Sequence, residues 1–151
     1  MACSAPTLPP QQGGYRKAGA PIYSSVQVES ARLAGDWRQV AAFGPAGCAP
    51  GGVTISGKGT LQASYRLCLS GRDMKGGGAM QPAGPGRFVV GGRAWWVLWA
   101  DADYRTLVIG TPDGSFGFIL DRTGSISPDR LKAAREILEW NGYDLSRLAV
   151  F

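Results

Sequence analysis

Between Gly35 and Arg122 the chain carries eight short apolar runs joined by connections of only a few residues. We read them as 36–44, 52–56, 60–70, 73–82, 86–91, 94–100, 104–111 and 115–122. Strands joined this tightly have room for hairpins but not for crossovers, so they form an antiparallel meander. Eight is the number that closes into a barrel just wide enough for side chains or one small ligand, and closure removes the exposed edges. The third run shows the pattern best. Leu61, Ala63, Tyr65, Leu67 and Leu69 alternate with Gln62, Ser64, Arg66, Cys68 and Ser70, one face buried and one wet. Many of the 23 glycines fall between the runs, where tight turns need them. The exception is Gly76-Gly77-Gly78 inside the fourth run, which offers no side chains to pack and invites a bulge.

The later strands are apolar on both faces. Trp95, Val97 and Trp99 alternate with Trp96 and Leu98, and Thr106 and Val108 with Leu107 and Ile109. Both faces must therefore be covered. The outer cover is a helix after the last strand. Ser127 is its N-cap, Pro128 its first residue, Asp129 suits the dipole, and Leu131, Ala134, Ile137 and Leu138 form the apolar stripe. Gly142 can end it, after about 14 residues, and residues 145–150 read as a short final strand. The expected class is all-β: an eight-stranded antiparallel up-and-down barrel with one C-terminal α-helix packed outside. Residues 1–25, with Pro6, Pro9, Pro10, Gln11 and Gln12, read as a flexible tether, residues 28–34 as a helical turn, and 26–151 as the domain.

Histidine is absent, which removes the commonest general base and the commonest metal ligand. Asp101, Asp103, Asp113 and Asp121 fall at turns or strand ends, where solvated or structural roles are usual, and no nucleophile–base pair is visible. No catalytic residue, metal site or cofactor is expected. The net charge of +5 comes from scattered residues rather than a basic block, so it describes a soluble surface and not a nucleic-acid partner.

Three motifs stand in order along the chain. Gly35-Asp36-Trp37 opens the first strand behind the lead-in Glu29-Ser30-Ala31-Arg32-Leu33-Ala34. Asp103-Tyr104 falls between the sixth and seventh strands, and Arg122 ends the eighth. With the closing stretch from Ser125 to Ser146, this pattern resembles the lipocalin family, and within it the bacterial lipoprotein lipocalins and the apolipoprotein D group. The resemblance covers about 28–150. It implies a calyx with one closed end, plugged by Trp37 with the Arg122 guanidinium on its ring, and one open end. Such cation–π packing is structural, not catalytic. The chain departs from the family in its tight turns at 57–59 and 91–93, in a loop before the sixth strand cut to Gly91-Gly92-Arg93, and in Ala102 where Thr is usual.

Parity and the resemblance together place a ligand wall on the inner faces. Ala41 and Phe43 come from the first strand, beside Trp37 and Gln39, and Tyr65 and Leu67 from the third. Phe88 and Val90 come from the fifth, Trp95, Val97 and Trp99 from the sixth, and Phe116 and Phe118 from the eighth. Ala41, Ala63 and Gly110 would leave space among the aromatics, and Tyr65 and Gln39 would orient the ligand. The resemblance implies a carrier of a fatty acid, lysophospholipid or similar molecule. The competing readings are an enzyme on a lipophilic substrate and a tethered structural or partner-binding module with a filled barrel. An interior without a void for an alkyl chain would count against the carrier.

The three cysteines divide by position. A turn centred near Lys58 sets residue 48 opposite residue 68, so a Cys48–Cys68 disulfide is expected on the wet face. It also sets Val53 and Ile55 opposite Ala63 and Leu61. Cys3, behind Ala2 and ahead of a Pro- and Gln-rich segment, looks like the lipidated start of a mature bacterial lipoprotein. The alternative is a cytosolic cysteine near a start codon. The expected setting is the periplasmic face of a bacterial outer membrane, with the membrane reached through the anchor on Cys3. A disulfide agrees with that oxidising compartment.

Overall fold

The computed structural model describes residues 14–151. A 3₁₀ turn, Ser30–Leu33, leads into eight strands: β1 Gly35–Phe43, β2 Gly52–Ser56, β3 Leu61–Leu69, β4 Arg72–Pro82, β5 Arg87–Val90, β6 Arg93–Ala100, β7 Thr106–Gly110 and β8 Gly117–Asp121. Helix α1, Pro128–Trp140, a 3₁₀ turn at Leu145–Arg147 and strand β9, Leu148–Val150, follow. Every sequence neighbour from β1 to β8 pairs antiparallel, and β8 returns to β1 to close an eight-stranded barrel. β9 adds to β1 at Ala41–Phe43. Ser127 caps α1 by accepting from the Arg130 amide at 3.3 Å, and Gly142, at φ 84°, turns the chain out of the helix.

Two apolar layers result. The barrel interior holds Trp37, Ile55, Leu67, Met80, Trp95, Val97, Leu107 and Phe118. The outer layer holds Val40, Leu98, Val108 and Ile119 under Ala134, Leu138 and Tyr143. This is the arrangement demanded by strands apolar on both faces.

The structure corrects several local expectations. β1 carries a bulge between Gln39 and Ala41, and β6 another between Val97 and Trp99. An inserted residue inverts the alternation beyond it. Ala41, Phe43 and Trp99 therefore join the outer layer and not the ligand wall. Gly110 also faces outward, close against Leu98 and Tyr143. The β2–β3 hairpin is centred one residue later than expected, so Val53 pairs with Tyr65 and Ile55 with Ala63. β4 shows no bulge at Gly76–Gly78; its register with β3 runs unbroken from Leu61–Met80 to Leu69–Arg72.

Residues 14–25, expected to be tether, lie along the barrel. Tyr15 is buried and donates its amide to the Gly114 carbonyl. The Arg16 side chain bonds the carbonyls of Asn141, Pro112, Ala20 and Pro21. Cys3 lies outside the described residues.

Candidate functional site

The two ends of the barrel are built differently. At one end the Arg122 guanidinium carbon lies 3.7 Å from the centre of the Trp37 ring. Arg122 donates to the carbonyls of Tyr104, Ala34 and Arg32, and the Trp37 indole N–H donates to the Leu33 carbonyl at 2.8 Å. Tyr104, at φ 52°, accepts the Glu29 amide on its hydroxyl and stacks under the Arg32 guanidinium at 4.2 Å. The strap at 29–34 is thereby held across the barrel floor by side-chain to backbone bonds. Asp103 of the same motif is exposed.

Two carboxylates behind that floor are buried, not solvated. Asp101 accepts the amides of Arg105 and Thr106 and the Arg105 Nε. Asp121 accepts from Thr106, Thr123 and Arg130, the last an ion pair of 3.3 Å to the helix. Burial pushes both carboxyls up, but those donors outweigh it and hold each below its ordinary value. Both are satisfied structural groups.

The opposite, open end is formed by the β1–β2, β5–β6 and β7–β8 connections and the Ser70-Gly71 turn. A groove of about 300 Å³ opens there between the β5–β6 and β7–β8 connections. It is lined by Gly92, Arg93, Ala94, Thr111, Pro112, Asp113, Ser115 and Phe116. Phe116 links it to a row of rings descending into the barrel. Phe116 and Phe118 are 6.0 Å apart, Phe118 and Trp95 5.4 Å, and Trp95 and Tyr65 5.2 Å. Tyr65 is the half-buried member of that row. A methyl group built on Gly76 would sit 2.6 Å from the Tyr65 hydroxyl, so only glycine at 76 lets this ring lie against β4.

Of the expected wall, the structure brings Tyr65, Leu67, Phe88, Val90, Trp95, Val97, Phe116 and Phe118 into the interior. It does not leave them lining a void: apart from Tyr65, none is more than 4% exposed. Gln39 is spent on the sheet. Its amide accepts the Cys68 and Gly51 N–H groups and donates to the Cys68 carbonyl, pairing β1 with β3 where β2 ends. The Cys48–Cys68 disulfide is present, with Cα atoms 5.6 Å apart. Cys68 is buried rather than wet, and the β2–β3 register sets position 50, not 48, across from it. The bridge forms because the chain before Gly52 folds back over β3. Arg93 and Thr111 were missed as groove residues. Nothing local marks them, since they meet only when two connections come together.

A family profile described as a lipocalin-like domain matches residues 85–151. A 54-residue stretch is 39% identical to temperature-induced lipocalin-1 of Arabidopsis thaliana, covering 36% of this chain and 29% of the plant protein. The match thus spans less than a third of that relative. Among solved structures, the siderocalin Ex-FABP, described as functioning through dual ligand specificities, superposes with a TM-score of 0.62 at 19% identity over 80% of this chain and 93% of its own. Lobster apocrustacyanin A1 gives 0.58 at 18%, over 87% and 88%. Insecticyanin from the tobacco hornworm Manduca sexta gives 0.59 at 17%, over 91% and 85%. The architecture is the lipocalin fold.

Proposed function

We propose that this chain binds a small hydrophobic molecule at the open end of its barrel, with the groove at Arg93 and Phe116 as the entrance. The observation that carries this reading is the continuity of groove and ring row. An apolar body entering past Phe116 meets aromatic faces at every step, and the Arg93 guanidinium at the rim suits a polar or anionic head. Because the interior is filled, binding requires a side chain to move. Tyr65 is the one placed to do so, half-buried over a glycine. Ex-FABP, with its dual ligand specificities, offers a precedent for ligand binding on this fold.

The test is titration of the protein with an alkyl carboxylate, followed by tryptophan fluorescence. Binding near the micromolar range is expected, with Trp95 reporting it, and Arg93→Glu at the exposed rim should weaken it about tenfold while the protein stays folded. No spectral change with any chain length would reject the reading. It would then favour the filled barrel as a structural or partner-binding module, which the low exposure of the inner residues supports.

Within this proposal the ligand is a fatty acid, lysophospholipid or similar lipid, and the place is the periplasmic face of a bacterial outer membrane. The supports are the sequence around Cys3 and a disulfide that needs an oxidising compartment. Intact mass measurement of the protein from its native host should show a lipid on Cys3. An unmodified thiol there would remove the membrane from the proposal.

A further inference from the structure

β4 is eleven residues long, but β5 pairs with it only at Gln81 and Pro82. Toward the open end, no strand among the described residues covers that side of β4. The β5–β6 turn reaches as far as Gly77: a methyl group on Gly91 would stand 3.9 Å from the Gly77 carbonyl. What remains is the stretch Arg72-Asp73-Met74-Lys75-Gly76, all exposed but for the half-buried Met74. An uncovered edge of this kind offers unpaired N–H and C=O groups to another strand.

The charges on the stretch select the strand. Antiparallel pairing with the same segment of a second copy, about a two-fold axis at Met74, sets Asp73, which also pairs with Arg66 of its own chain at 2.6 Å, opposite Lys75 twice and Arg72 opposite Gly76 twice. The neighbouring two-fold registers, about Asp73 or Lys75, oppose like charges, which is unfavourable. Edge pairing about an axis normal to the sheet keeps inner faces together. Arg72 pairs across from Leu69, and Gly76 from Tyr65, on the inward-facing side of β3 and β4. Arg72 of the second copy would therefore arrive over Gly76, against whose backbone the Tyr65 ring lies.

We infer that the Arg72–Gly76 edge is a self-association surface. Two copies pair antiparallel about Met74, and each lays its Arg72 over the other's Tyr65, the innermost ring of the row, a cation–π contact. The partner copy thus contributes a residue to the ring row of the proposed site. Association is read as mass without added ligand, so its failure and the failure of the carrier reading are separate results.

The experiment is sedimentation equilibrium of the full chain with Cys3→Ser, which removes adventitious cross-linking. A reversible dimer is expected. K75D should weaken it about tenfold, and the double variant D73K/K75D, which restores opposite charges across the axis, should recover it. Met74→Cys should oxidise to a covalent dimer faster than Thr54→Cys, which sits on the outer face away from the edge. A monomer up to millimolar concentration overturns the inference. So does a dimer that ignores the charge reversals and cross-links no faster through position 74.

Discussion

The two ends of one barrel differ in what they leave over. The closed end is held by side chains that reach backbone carbonyls: Arg122 bonds three and Trp37 a fourth. The open end is held by ring packing, a disulfide and side chains reaching in from outside the strands, Arg16 on the Pro112 carbonyl and Tyr143 on the Phe116 carbonyl, with a groove and an uncovered strand edge left over. The Trp37 bond is buried and two of the three Arg122 bonds are partly so, and breaking them without replacement costs free energy, which makes that end rigid. At the open end the groups facing solvent can exchange partners at little cost. Stability and the recognition proposed above are thereby separated along the barrel axis.

The largest expected effect breaks the closed end. Trp37→Ala removes the floor and strands Arg122, and should cost about 4 kcal/mol of stability by urea denaturation. If it costs less than about 1 kcal/mol, the closed end is not the rigid one. Next is Asp121→Ala, which leaves Arg130 and Thr106 without their shared acceptor and should cost about 3 kcal/mol. The sign of the pH dependence follows. Asp101 and Asp121 titrate below their ordinary range in the folded protein, so the unfolded chain takes up protons first as pH falls. Their stabilisation is complete above about pH 4 and is lost below it. The melting temperature of the native protein should drop on going from pH 5 to pH 3, and that of the Asp121→Ala variant should drop less.

Removing the disulfide by Cys48→Ser with Cys68→Ser opens a loop spanning 20 residues and should cost about 2–3 kcal/mol. The smallest stability effect, about 1 kcal/mol or less, is expected for Tyr65→Ala at the open end, because that ring is half-buried. Its effect on ligand titration should be large by contrast, an altered affinity of tenfold or more. A Tyr65→Ala protein that melts as low as Trp37→Ala, yet titrates normally, would reverse the division of labour between the two ends.

The strand order, the capped helix and the disulfide were legible in the sequence, since each rests on a local signal: a turn between apolar runs, Ser127-Pro128, two cysteines flanking one hairpin. The three motifs also marked the residues that meet at the floor. Tertiary structure alone decided which way side chains face beyond Gln39 and Val97, because closing the barrel placed a bulge at each, and a bulge inverts a parity that sequence periodicity can only extrapolate. Phe43 and Trp99 went outward for that reason. It also decided that the inner rings fill the barrel rather than line a void, since filling depends on strand tilt and stagger as well as on side-chain size. The uncovered edge of β4 belongs to the same class. Gly76–Gly78 warned of an irregular strand, but whether a neighbour would cover it depended on where the β5–β6 hairpin stopped in space, and that hairpin stops at Gly91, beside Gly77.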